Sequence, residues 1–134
     1  MSTKILHIQN KQRPNPLSIV NLQDFDYLEG EVVSANIILE NPNISLYCLD
    51  FQNQRAIFVE TPLEIDFVTS PFFHQFQYEN AQRLIAVPLQ ELTHIVADLE
   101  GQIQNLVMIY AVGRCGSTLL SQVFNQLDTV VSLS

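Results

Sequence analysis

The stretch "LVMIYAVGRCGSTLLSQVFNQL", residues 106–127, constrains the fold more than any other part of the chain. Its first six residues are apolar without interruption, the pattern of a strand buried on both faces of a sheet. A short turn with two glycines follows, and then Leu119, Leu120, Val123, Phe124 and Leu127 recur at helical spacing. The closing "TVVSLS" supplies a second apolar run. Strand, loop, helix and strand in that order make a β-loop-α-β unit, and such units build parallel sheets. The sequence therefore predicts a strand over 106–111, a loop over 112–116 and a helix over 117–127 whose Leu120, Val123, Phe124 and Leu127 face inward.

The preceding hundred residues have a different texture. "KILHI" reads as a short strand, "NKQRPNP" as a loop, and "LQDFDYLEG" as a segment ended by a glycine break. Residues 31–40, "EVVSANIILE", permit a helix or a strand, with the helix preferred, and Pro42 stops either. "SLYCLDF", "QNQR" and "AIFVET" spell a β-hairpin. "SPFFHQFQYENAQR" reads as a helix capped by Ser70 with Pro71 in its first turn, and with Phe72, Phe73, Phe76 and Tyr78 as core anchors. "LIAVP" is a further strand, and "LQELTHIVADLEG" places Leu89, Leu92, Ile95, Val96 and Leu99 on one helical face before Gly101. The fold class expected is α/β: an N-terminal α+β region over 1–103, then the first β-loop-α-β unit of a parallel sheet over 104–134, with the boundary near Gly101–Asn105.

Charge narrows the function. The chain has 14 acidic and 6 basic residues in 134, a formal net charge of −8, so its long-range field repels nucleic acid and anionic membrane surfaces. A single phosphate is different, because a few amides and one arginine act on it over distances too short to be screened. No window approaches the roughly 20 apolar residues of a spanning helix, and the N-terminus lacks the pattern of a secretory signal, so the chain reads as cytosolic. Cys48 and Cys115 share no metal-ligand spacing with His7, His74 and His94, and no metal site is expected.

The turn at 113–118 has the chemistry of an anion site. The N-terminus of a helix presents unsatisfied N–H groups and the positive end of the dipole, and glycine lets the backbone approach a ligand closely. Gly113 and Gly116 flank Arg114 and Cys115, while Ser117 and Thr118 add hydroxyl donors. Cys115 has no neighbouring histidine or lysine in sequence to activate it and reads as a small loop residue. Against the nucleotide-binding pattern G-x-x-x-x-G-K-[ST], Gly116 and Thr118 match, but Ala111 replaces the first glycine and Ser117 the lysine. The missing lysine counts against an ordinary NTPase or kinase.

"VGRCGSTLLSQVF" resembles instead the 5'-phosphosulfate loop of the sulfotransferase superfamily, which has a P-loop-like fold. In one group of bacterial sulfotransferase-like proteins, "LYCLDFQNQRAIFVETP" and "PFFHQFQYENAQRLIAVP" also look similar in order and spacing. The resemblance implies that 3'-phosphoadenosine 5'-phosphosulfate is the cofactor and that an acceptor hydroxyl or amine receives the sulfuryl group. By position it gives Arg114 the basic role on the 5'-phosphate, Gly116 the close approach, and Ser117 and Thr118 the hydroxyl contacts, with Gly113 and Cys115 completing the loop. It also implies a catalytic acidic residue after the second strand, and an arginine and a serine for the 3'-phosphate far downstream. Those positions lie past Ser134, so the chain is expected to be the N-terminal fragment of a longer protein and inactive by itself. Two other readings stay open: a kinase or NTPase with a degenerate loop, and a non-catalytic nucleotide-binding or interaction module.

Overall fold

A computed structural model of the chain describes residues 1–99, 101 and 105–133. Most of the expected boundary at Gly101–Asn105 lies outside the described residues. Five strands form one sheet: β1 (Lys4–Lys11), β2 (Phe25–Val32), β3 (Ile44–Asp50), β4 (Arg55–Glu60) and β5 (Arg83–Pro88). They lie in the order β2-β1-β5-β4-β3, and every neighbouring pair is antiparallel. Among the described residues four α-helices accompany them: α1 (Ile37–Glu40), α2 (Phe73–Asn80), α3 (Leu89–Asp98) and α4 (Ser117–Phe124).

The alternation of β5 builds two cores. Leu84 and Ala86 join Leu6, Ile57, Val59, Phe25 and Tyr47 on one face, against which Tyr78 of α2 packs. Ile85 and Val87 join Ile5 and Ile44 on the other, where Ile37 and Ile38 of α1 and Leu92 of α3 cover them. Each aliphatic side chain buried this completely stabilises the fold by about 1.5–3 kcal/mol. On the first face Tyr47 donates a 2.6 Å hydrogen bond to the buried Asp24 carboxylate, and Arg13 lies 3.9 Å from the same group. Burial, followed by that hydrogen bond, pushes the Tyr47 hydroxyl pKa well up, so it stays protonated and remains the donor.

The hairpin stands as read, with a turn that the Asp50 side chain organises. Its carboxylate accepts from the Asn53 backbone N–H at 3.2 Å, from Asn53 Nδ2 at 2.8 Å and from Arg55 Nε at 2.9 Å. Gln54 takes φ 53°, and its carbonyl accepts the Leu89 N–H at 2.9 Å, which fixes the start of α3.

Several expectations are corrected. The sheet is antiparallel rather than parallel: its strands come from residues 4–88 and, among the described residues, none comes from the C-terminal unit. Residues 106–111 and 129–133 form no strand; neither run has a neighbouring strand to complete its hydrogen bonds. Residues 31 and 32 belong to β2, and the helix expected over 31–40 shrinks to the four residues of α1. Gly30 does not break β2, since a Cβ there would collide with the His7 imidazole: glycine admits the ring over the strand. Ser70 does not cap α2. Asp66 instead caps a single turn at Phe67–Thr69 by accepting the Val68 N–H, Ser70 closes that turn, and α2 starts at Phe73.

Candidate functional site: the 112–118 loop

The loop enters α4 through two left-handed residues. Arg114 has φ 58° and Gly116 has φ 87°. Gly116 is the N-cap of α4, and its carbonyl accepts the Leu120 N–H at 3.0 Å. No side chain caps the helix. The N–H groups of its first turn, at Ser117, Thr118 and Leu119, precede that first helical bond and are open to a ligand. The Ser117 hydroxyl is exposed and Thr118 is half-buried beside it.

Arg114 differs from every other cation in the chain. Lys4 pairs with Glu29 at 2.8 Å, Lys11 donates to the Glu79 carbonyl at 2.8 Å, and Arg13 bonds the Ser18 carbonyl beside Asp24. Arg55 holds Asp50 at 2.9 Å, and Arg83 holds Glu60. These are five of the six basic residues. Arg114, the sixth, is exposed and makes no hydrogen bond or ion pair among the described residues. An unpaired arginine two residues before an uncapped helix N-terminus supplies the kinds of donor that a phosphate or sulfate group takes.

The expected site residues Gly113, Arg114, Cys115, Gly116, Ser117 and Thr118 are thus brought together on one continuous turn, with differing needs. Gly116 requires glycine for its positive φ; Gly113 does not, and a Cβ there meets nothing within 4 Å. Cys115 is an exposed free thiol. The other cysteine, Cys48, is pushed by burial and the nearby Asp24 and Asp50 carboxylates up to about 12, so it stays a thiol. Among the described residues no group of three His, Cys, Asp or Glu side chains is placed to hold a metal.

The face of α4 is reversed from expectation. Leu120, Val123 and Leu127, expected inward, are 41%, 55% and 51% exposed, and only Phe124 is half-buried. The buried residue is Ser121, whose hydroxyl lies 2.8 Å from that of Ser132. Asn125 holds the Ser132 backbone on both sides, donating to its carbonyl at 2.9 Å and accepting its N–H at 2.8 Å. The helix therefore docks through polar side chains and turns its apolar stripe outward.

Sequence reasoning missed the residues around 61–73. They line an open cleft of about 550 Å³ between the ends of β3 and β4, the start of α2 and the 131–133 segment. The signal was available in "TPLEIDFVTSPFF", where two carboxylates interrupt an apolar stretch outside any helix or strand pattern.

Compared with protein-family models, curated proteins and solved structures, the chain matches none. Among the described residues no helix is long and apolar enough to cross a membrane.

Proposed function

We propose that residues 112–118 are the 5'-phosphosulfate loop of a sulfotransferase-like protein, one that transfers a sulfuryl group from 3'-phosphoadenosine 5'-phosphosulfate to an acceptor hydroxyl or amine. The observation that carries this reading is the freedom of Arg114 beside the uncapped N-terminus of α4. The residue types of the loop support the reading: a guanidinium, open first-turn N–H groups and two hydroxyls follow one another in sequence, and a Cβ at Gly116 would meet nothing within 4 Å. When bound, the cofactor supplies the sulfuryl group as its leaving 5'-phosphate accumulates charge. Arg114 and the first-turn N–H groups hold that phosphate and stabilise the charge. Ser117 and Thr118 orient it through their hydroxyls. Ser117 at the lysine position of nucleotide-hydrolysing loops weighs against a kinase or NTPase.

Calorimetric titration with 3'-phosphoadenosine 5'-phosphate, and with ATP plus Mg²⁺ as the comparison, tests the reading. Binding of the first without a magnesium requirement is the expected result. Arg114→Ala removes a charge-assisted contact worth about 1.5–3 kcal/mol, so affinity falls roughly ten- to a hundredfold. The melting temperature stays put, because Arg114 bonds nothing else among the described residues. Unchanged affinity in a folded Arg114→Ala variant removes the arginine from the site, and preference for magnesium ATP turns the assignment toward a nucleotidase or kinase.

A further inference from the structure

The cleft that the sequence did not announce is the second place where the molecule can hold a ligand. Its volume, about 550 Å³, lies in the range of small-molecule sites, and one wall is the aromatic cluster of Phe67, Phe73 and Phe76. Phe67 already packs edge to face on Phe73 with centroids 5.5 Å apart, and Phe73 stacks on Phe76, so the wall is formed before any ligand arrives. The other wall is Val131 and Leu133, held near α4 by the Ser132 hydrogen bonds to Asn125. Leu63, 71% exposed, stands at the mouth.

Charge chooses among apolar ligands. Glu64 and Asp66 line the cleft, and no lysine, arginine or histidine does. The Asp66 Oδ1 is committed to the Val68 N–H at 3.0 Å, whereas Glu64 makes no hydrogen bond or ion pair among the described residues. The other polar side chains of the lining, Asn43, Ser45 and Thr61, are hydrogen-bonded within the protein, so the two exposed carboxylates set the polarity of the cleft: they attract a cation and repel an anion, and the net charge of −8 reinforces both effects.

We propose that this cleft binds an apolar primary amine, its hydrocarbon body against Phe67, Phe73 and Phe76 and its ammonium group at Glu64 and Asp66. The proposal does not depend on the loop at 112–118. It is tested by titrating the full chain, followed by NMR chemical shifts, with hexylammonium, hexanol and hexanoate as probes of equal length. Hexylammonium binds tightest, and hexanoate binds at least about tenfold more weakly. Glu64→Gln weakens hexylammonium about two- to fivefold and leaves hexanol unchanged. Leu63→Arg, at an exposed position where folding is not at stake, places a cation in the mouth and abolishes hexylammonium binding. Equal affinity for ammonium and carboxylate overturns the proposal. So does hexylammonium binding that survives Leu63→Arg, which would place the probe on the exposed apolar segment 106–112 instead.

Discussion

At the scale of single residues, polar side chains decide much of what the backbone does, some through partners remote in sequence and many through near neighbours. Asp50 is of the second kind. Burial by itself would raise its pKa; the hydrogen bonds from Asn53 and Arg55 outweigh that and hold it below the ordinary carboxylate value. A carboxylate depressed on folding contributes stability above its unfolded pKa of about 3.9, and that contribution is lost as pH falls through the lower folded value. Acid unfolding of the wild type should therefore include a step below about pH 4. Asp50→Asn, which keeps the shape but not the charge, should cost about 1–3 kcal/mol at neutral pH and flatten that step. Circular dichroism melts between pH 2 and pH 7 read both effects. An unaltered acid profile in the variant would show that the turn does not rely on the ionised group. At this scale the turn itself was legible as a set of residue types, since Gly116 before Ser117 and Thr118 marks the start of a helix, and α4 does begin there. That Arg114 is the cation left unpaired was not legible, because it depends on where the other five basic residues find partners, and those of Lys4, Lys11 and Arg83 lie 23 to 68 residues away.

At the scale of elements, the readings that held are those in which the signal and the partner are close together. The β3–β4 hairpin and α3 could be read from turn chemistry and apolar spacing, and β5 from its continuous apolar run, although Val96, expected on the apolar face of α3, is 47% exposed. The strand expected over 106–111 had the same kind of signal as β5 and a different fate. An apolar run specifies burial, whereas a strand also requires neighbours for its N–H and C=O groups: β5 has β1 and β4, and residues 106–111 have none among the described residues. The glycines of the loop show a parallel contrast that can be measured. Gly116→Ala forces an L-residue to φ 87° and should cost about 1 kcal/mol. Gly113→Ala meets no neighbour and needs no positive φ, so its melting temperature should equal that of the wild type. If the proposed function holds, Gly116→Ala should also weaken phosphoadenosine phosphate binding in titrations, through the lost left-handed turn at the start of α4. Equal stability of the two variants would mean that the loop is not held in the left-handed conformation in solution.

At the scale of the whole molecule, the apolar surface is unevenly distributed. The five-stranded sheet buries both of its faces, while Leu106, Val107, Met108, Ile109, Tyr110 and Val112 are 59–87% exposed. The stripe of α4 adds Leu119, Leu120 and Val123 to what water must cover. Contiguous apolar surface beyond a few hundred Å² is uncommon on soluble monomers and drives association. The 134-residue chain should therefore elute from a size-exclusion column as a species larger than its monomer, moving to later volumes on dilution. Replacing Leu106, Met108 and Tyr110 together by serine should restore monomeric elution. Because none of the three belongs to either buried core, the intrinsic stability of the sheet should stay within about 0.5 kcal/mol of wild type once association is removed. Urea melts at several protein concentrations separate the two contributions: a wild-type midpoint that rises with concentration beside a variant midpoint that does not is the expected pair. A wild type that elutes as a monomer at every concentration, with a variant that melts earlier, would mean that segment 106–112 packs against the sheet in solution rather than standing open to water.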